Sequence, residues 1–464
     1  MQRIVGLILI SLLFFIKRDG YFPFSSSSNP ILIYIGNTFL LTIFFVATFF
    51  VIRPFKIGPI HKLKRILNIN LKYISAVVLA ANILGIFILT ISAHNSFKDI
   101  YTLNLPCFII FSIIGIAFPL YFLIKQKPQT AIIFLFLTSF LLSVFIIYSF
   151  PITAKLSDLM PIVIRQGQAL LDGQNIYQYY LLDNGINTQA VRQPGIILLY
   201  LPSVVFDFDP RIMSTLYFLG TGLILLKFAY KDFSKILMDK KFYLIFILLS
   251  LFLLMPYRFL RADLYEPPFW FIFFLSLYFL FKNKLTTFAI LWGIGIFTQV
   301  WCWIGTPFVM LYLYKKYGFK SALLTSALFT TLGLSILALF ILPNPQSYLE
   351  HVFGFYKNSQ DQGDFPKVSM FLTPWFFEFG LQKYLQVVQI ATSFIIGIVA
   401  LRCLRTFRGL LIFLVVVIIT FIQFLIISWT YMYLNIYFLL ILYSILRLDK
   451  SNEATVGKIP LLAS

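Results

Sequence analysis

TAIIFLFLTSFLLSVFIIYS, residues 130–149, is a run of twenty residues without a charge, and it decides the class of fold. About 20 mostly apolar residues cross roughly 30 Å of hydrocarbon as a helix, which satisfies its own backbone donors and acceptors where no water can. The same signature recurs on both sides. Apolar runs cut by charges or turn residues fall at 31–52, 73–93, 106–124, 212–230, 241–257, 268–281, 285–300, 304–314, 321–342, 386–401, 409–428 and 430–446. With 130–149 they make thirteen, several of them short. Ile4 to Ile16 lies between Arg3 and the pair Lys17 and Arg18, has no small-residue cleavage site after it, and reads as a fourteenth span rather than a signal. Of 464 residues 60% are hydrophobic and 12% charged, where a soluble domain has roughly half and a quarter. That composition excludes a chain facing water on all sides. It predicts an all-α polytopic membrane protein of about 13–14 transmembrane helices.

Charge predicts the orientation. With the N-terminus inside, the loops at 53–72, 125–129, 227–241, 282–284, 315–320, 402–408 and 447–464, together with Arg3, hold 25 of the 37 Lys and Arg residues. The positive-inside rule favours that threading, with both termini cytoplasmic. It requires Pro194 to Phe206 (PGIILLYLPSVVF) not to cross, and this stretch is short and interrupted by Pro202, as an interfacial or re-entrant segment would be. Of the 17 acidic residues 13 then face outward, nine of them in the two long outer loops, 150–211 and 343–385. Loops of that length in a compact protein are functional or disordered, and these are too rich in Tyr, Phe, Trp and Leu for disorder. The expected organisation is an N-terminal bundle over 1–150, an outer catalytic loop over 151–211, a C-terminal bundle over 212–446 containing the second outer loop, and a cytoplasmic tail over 447–464.

Several chemistries find no support. Carriers coupled to ions bury charged groups at mid-depth, whereas these spans hold neutral polar residues such as Asn82, Gln299, Gln423 and Asn435, which helix-to-helix hydrogen bonding explains as well. Cys107, Cys302 and Cys403 are far apart and read as small apolar fillers. No nucleotide-binding loop, zinc signature or GxSxG elbow occurs, and nothing points to nucleic acid.

The first outer loop carries the chemistry. Ser157 or Asp158 can cap a short helix with Pro161 in its first turn and an apolar stripe of Leu159, Met160, Val163, Leu170 and Leu171. Gly173 ends it, Tyr177, Tyr179 and Tyr180 suit the headgroup level, and Asn184-Gly185 marks a turn. Asp158, the short helix, Gly173-x-Asn175-x-Tyr177, and then Pro194, Tyr200, Leu201 and Pro202 make a pattern. It resembles the first outer loop of the GT-C superfamily of integral membrane glycosyltransferases, in particular the polyprenyl-phosphate-mannose-dependent mannosyltransferases. The likeness is strong over about 60 residues and looser from there to the C-terminus.

The resemblance implies an enzyme of the bacterial inner (plasma) membrane with its site on the outer, periplasmic side. Such an enzyme takes a sugar, here mannose, from a polyprenyl phosphate and passes it to a hydroxyl of a lipid or glycan acceptor by an inverting single displacement, with no cofactor and with metal dependence left open. Asp158 is the candidate general base on the resemblance; as a bare residue it reads as a helix cap. Arg192, Arg258, Arg261 and Lys357 are candidates for the donor phosphate, since a guanidinium fork donates two parallel hydrogen bonds to it. As bare residues they read as topology anchors. Tyr177, Gln299 and His351 are the candidate substrate contacts, with Gln299 standing where the family often has Lys or Arg. Trp301, Trp303, Trp375, Phe376 and Phe377 suit an aromatic belt or a sugar platform, and Asp361 and Asp364 read as loop residues rather than a metal pair. Two other classes stay open: a lipid or polysaccharide transporter, and a polysaccharide polymerase or ligase.

Overall fold

The computed structural model describes residues 2–16, 30–53, 71–96, 104–154, 157–185, 187–255, 265–354, 373–423 and 433–448. Among the described residues the chain is all-α but for one small hairpin, and six helices are long and apolar enough to cross a membrane. It is a multi-pass membrane protein.

Three helices, α1 (Gln2–Ile16), α2 (Pro30–Ile52) and α3 (Leu71–Ser96), precede α4 (Leu105–Ile124) and α5 (Pro128–Ser149). The last two open on prolines, which fit the first helical turn because its amides have no intrahelical partner. Next come α6 (Leu159–Leu171), the hairpin strands β1 (Tyr179–Leu181) and β2 (Asn187–Gln189), and α7 (Pro194–Val205). At 12 residues α7 is about 18 Å long, too short to span. Beyond it run α8 (Pro210–Ala229), α9 (Lys240–Leu254), α10 (Pro267–Phe281) and α11 (Leu285–Thr298).

The 42-residue element α12, Val300–Ile341, joins two of the expected spans. Gly318 breaks it with φ 81° and ψ 172°, in the left-handed half of the map where glycine has no Cβ to clash. The two halves fold back on each other. A Cβ at Gly305 would meet the Trp292 ring at 3.5 Å and one at Gly293 would meet the Phe329 carbonyl oxygen at 2.9 Å. Residues 305 and 329 thus flank the same turn of α11, whereas a straight helix would part them by about 36 Å. The chain closes with the short α13 (Pro345–Tyr348), a π-helical turn (Leu349–Gly354), α14 (Thr373–Glu378), α15 (Leu385–Cys403), α16 (Phe407–Gln423) and α17 (Leu434–Leu448).

The core is centred on α9 and α17. Residues 244–254 and 434–446 are buried on every side, which is why these sequences are apolar all round rather than striped. Aromatic contacts tie the centre together: Phe438 of α17 meets Trp270 of α10 edge-on at 4.7 Å and Phe252 of α9 at 4.5 Å. The Trp270 Nε1 donates to the Asn435 Oδ1 at 2.8 Å, so Asn435 is indeed spent on helix-to-helix bonding. Asn82 instead donates to its own helix, to the Val78 carbonyl at 2.9 Å.

An ion pair between buried Arg211 and half-buried Asp209 fixes the entry to α8. Arg211 is 1% exposed, with its Nη2 2.6 Å from Asp209, and its remaining donors reach the Phe150 and Ile147 carbonyls at 2.5 and 3.0 Å. A guanidinium there closes the C-terminal end of α5, where the helix dipole and the open carbonyls favour a cation.

Candidate functional site

The segment between α5 and α8 folds as a wedge, and Ser157 starts it. Its Oγ accepts the Leu159 amide at 3.2 Å, while Asp158, in the N-cap position, makes no capping bond and is half-exposed. Of the two capping candidates the serine serves, which leaves the carboxylate at the mouth of α6 unspent.

α6 itself differs from the expected single stripe. Met160, Ile162, Val163, Gln166, Gly167 and Ala169 are buried, while Leu171 is exposed. Gly167 lets α7 approach, since a Cβ there would lie 2.9 Å from the Val204 side chain. Gly173, with φ 68°, ends the helix as expected, and the Gln174 amide returns to the Ala169 carbonyl at 2.8 Å. Asn184-Gly185 makes the hairpin turn, with Gly185 at φ 78°. Asp183 anchors the hairpin by accepting from the Thr153 hydroxyl at 2.6 Å and the Ala154 amide at 2.8 Å.

The three tyrosines divide. Tyr179 is exposed, but Tyr177 and Tyr180 are buried, Tyr177 under the second long loop beside Tyr348 and Val352, and Tyr180 within the first loop among Ile162, Ala169 and Leu182. Tyr177 stands edge-on to Tyr348 at 5.1 Å, and Tyr179 lies 5.0 Å from the His351 ring. Polar bonds stitch the same seam. Asn175 Nδ2 donates to Ser347 Oγ at 3.2 Å, Ser347 Oγ donates to the Tyr177 carbonyl, and Gln189 Nε2 donates to the Glu350 carbonyl at 2.9 Å. Tyr348 donates its hydroxyl to Gln193 at 3.2 Å. Two segments about 170 residues apart in sequence, each singled out by its length and composition, are thus one unit.

That unit buries polar atoms without satisfying them. The Tyr177 hydroxyl, the His351 Nδ1 and the Gln166 Oε1 have no hydrogen-bond partner, though each residue is at most 5% exposed. Burial pushes the Tyr177 hydroxyl far above the ordinary phenol range, with Tyr348 adding to it, and holds His351 below the ordinary imidazole value against the pull of Glu350. Both are neutral at pH 7. The π-helical turn that carries His351 is a rare geometry that recurs at functional sites.

Gln299 stands at the break between α11 and α12, with φ −156° and ψ 142°, and its Oε1 accepts the Val300 amide at 3.1 Å. Its neighbour Phe297 packs in one apolar cluster with Ile176, Tyr177, Tyr348 and Val352, so the Gln299 corner borders the seam. Gly195 brings α7 against the same corner, since a Cβ there would lie 2.5 Å from Thr298 Oγ1.

Arg192 belongs to a second polar group. Its guanidinium lies over the Tyr265 ring at 4.3 Å, and its charge acts on the carboxyl of Glu266, the next residue after Tyr265. Glu266 is 2% exposed, with one oxygen, Oε2, lacking any partner. Burial raises this carboxyl to about 7 in spite of the opposing pull of Arg192. Tyr200, from the Pro194 to Pro202 pattern, completes the group by bonding Ser214 at 2.6 Å and the Tyr265 carbonyl at 3.3 Å.

The sequence candidates therefore separate. Tyr177 and His351 share one seam with Gln299 at its border, Arg192 sits with Glu266, and Asp158 stands at the head of α6. Some eight residues, about 12 Å along the axis, part it from Gln166, whose Nε2 donates to the Ile176 carbonyl beneath that seam. Arg258, Arg261, Lys357, Asp361 and Asp364 lie outside the described residues. Of the tryptophans, Trp301 is a core residue packed edge-on to Phe421 at 5.9 Å, and Trp303 donates to the Ile296 carbonyl. Sequence reasoning missed Gln166, Gln193, Ser347 and Tyr348, which are single polar residues without periodicity. Asn344-Pro345 did offer a helix-start signal, and Asn344 accepts the Ser347 amide at 3.0 Å.

Compared with known protein families, curated proteins and solved structures, the chain shows no match.

Proposed function

We propose that this chain is a membrane glycosyltransferase that moves a sugar, mannose by resemblance, from a polyprenyl phosphate to an acceptor hydroxyl on the outer face. The observation that supports it best is the unspent Asp158 carboxylate. Asp is among the strongest helix caps, yet here it holds the cap position while Ser157 does the bonding. A half-exposed carboxylate with no structural bond is available as a base.

In the reaction the acceptor oxygen attacks the anomeric carbon, its proton passes to Asp158, and the bond from that carbon to the phosphate oxygen breaks with its electron pair leaving on the polyprenyl phosphate. Attack and departure on opposite faces invert the anomeric centre. A cation beside the phosphate stabilises the charge that develops there, and Arg192 is the described candidate. The neutral polar groups of the seam, Tyr177, His351 and Gln299, suit sugar hydroxyls better than an anion. Binding and chemistry then lie between the lipid and the outer aqueous phase.

The test incubates membranes containing the protein with labelled polyprenyl-phosphate-mannose and candidate acceptors, comparing the native chain with Asp158→Asn. Native transfer with a loss of roughly 10²- to 10⁴-fold in the variant is expected for a general base. Equal transfer by both rejects Asp158 as the base. Movement of the donor across the bilayer without transfer to any acceptor replaces the enzyme with a transporter.

A further inference from the structure

Among the described residues Glu266 is the buried carboxyl, and the scheme above leaves it unused. It sits just before Pro267 at the head of α10, is 2% exposed, and keeps Oε2 without a partner. Glu266 makes no capping bond, since Pro267 and Pro268 at the first two helical positions have no amide hydrogen to give it. Its charged neighbour is Arg192, held flat on the Tyr265 ring. The group thus gathers a carboxyl, a guanidinium and the Tyr200 hydroxyl about Tyr265, whose ring carries Arg192, whose carbonyl accepts from Tyr200 and which precedes Glu266 in the chain, with one carboxyl oxygen still to be satisfied. The other titratable groups facing it are Tyr265, Tyr200 on α7 and Tyr217 on α8, while the adjoining α11 carries no titratable side chain.

Resting on the transferase reading, we propose that Glu266 is its general acid, donating the proton on its carboxyl to the departing phosphate that Arg192 binds. The donor is a phosphodiester with one negative charge; the product is a monoester whose second proton is held with a pKa of about 6. As the bond from the anomeric carbon to oxygen breaks, that oxygen takes the Glu266 proton and the lipid leaves as the singly charged acid. Asp158 meanwhile gains the acceptor proton. Solvent then returns a proton to Glu266 and removes one from Asp158, so nothing else is consumed. The orphaned Oε2 is the position from which a protonated carboxyl would donate. Burial, which holds the proton on Glu266 up to about pH 7, matches donor to recipient.

The test uses the purified full-length chain and a polyprenyl methyl phosphodiester, which keeps one negative charge from pH 5 to 9 and so removes the ligand's own titration. Native protein is expected to bind it less tightly, by roughly tenfold or more, as pH rises through about 7, because an ionised Glu266 repels it. Glu266→Gln is expected to bind at the acid-side affinity throughout, and Glu266→Asp to keep a pH dependence. A second readout is kcat for transfer, expected to fall above about pH 7 in the native chain and to be lower and flat in Glu266→Gln. Binding that ignores pH in the native chain, absent binding, or the same pH profile in Glu266→Gln overturns the assignment. The transferase reading is judged separately by the Asp158 comparison, which does not depend on this profile.

Discussion

Two interiors of this protein are built on opposite terms. The centre formed by α9 and α17 is apolar all round, and its serine hydroxyls are settled locally: Ser250 donates to the Phe246 carbonyl and Ser444 to the Leu440 carbonyl, each at 2.8 Å. The region where the 151–211 segment meets 345–354 and the head of α10 is as deeply buried at Tyr177, Gln166, His351 and Glu266, yet each of these keeps an unsatisfied polar atom. A buried polar atom without a partner costs about 1–3 kcal/mol. The contrast is one of concentration: the centre settles its serine hydroxyls within its own helices, whereas the outer region gathers four unsatisfied polar atoms in two adjoining groups.

The comparison breaks most visibly at the centre. Trp270 is fully buried, bonded to Asn435 and packed on Phe218 and Phe438. Trp270→Ala removes the ring and its bond to the Asn435 oxygen and leaves a cavity, and is expected to cost about 3–5 kcal/mol, read as a large fall in Tm in detergent. A small effect would mean that this centre is loosely packed and that the distinction between the two interiors is false.

The second largest effect has the opposite sign and depends on pH. The Glu266 carboxyl ordinarily ionises near 4.5 and in the folded chain near 7, so the native state holds the proton longer than the unfolded chain does. Native stability therefore falls as pH rises from about 4.5 through 7. Glu266→Gln cannot ionise. It is expected to be equal in stability to the native chain below that window and more stable above it, by about 3 kcal/mol at the limit. Thermal melts of both at pH 5 and pH 8 check it, and a difference in Tm that is the same at both values rejects the buried, proton-holding carboxyl.

The spans were legible because a membrane leaves few solutions: Thr130 to Ser149 has to be a helix, and α5 is one. The turn at Asn184-Gly185, the stop at Gly173 and the short non-spanning helix after Pro194 were legible for similar reasons, since backbone geometry at Gly and Pro is local. What could not be read was the pairing of the two long loops. Tyr177 looked like a headgroup tyrosine because nothing in its neighbourhood in sequence announces Tyr348, 171 residues on. Gln166 was equally opaque: on a helical wheel it is a polar residue, and only the Ile176 carbonyl, brought back by the turn at Gly173, explains why it is inside. Polar contacts between distant segments have no period, and period is what a sequence displays.

Ser347 sharpens the contrast at an intermediate scale. It joins Asn175 to the Tyr177 carbonyl, and Ser347→Ala removes both bonds at once. The expected cost is about 1–2 kcal/mol, concentrated at the seam rather than across the molecule. Faster hydrogen exchange in 172–193 and 345–354, with α9 and α17 unchanged, is the expected pattern. Uniform acceleration would show that the seam and the centre unfold together.

The smallest expected change in stability belongs to Tyr177→Phe, and it discriminates best between the two kinds of interior. The ring is 1% exposed and packs edge-on against Tyr348, while its hydroxyl bonds nothing. Phenylalanine keeps the ring, its packing and its edge, and deletes only the oxygen. Had the hydroxyl been a structural bond, its removal would cost about 1 kcal/mol; as an orphan, its removal is expected to leave Tm unchanged or slightly raised. The loss should appear instead in the sugar-bearing ligand. If this hydroxyl meets a sugar hydroxyl, KM or the donor affinity weakens by about 1 kcal/mol, roughly fivefold. A variant that melts lower and binds the donor as well as the native chain would make Tyr177 a stability residue, and the seam would then be merely a second core.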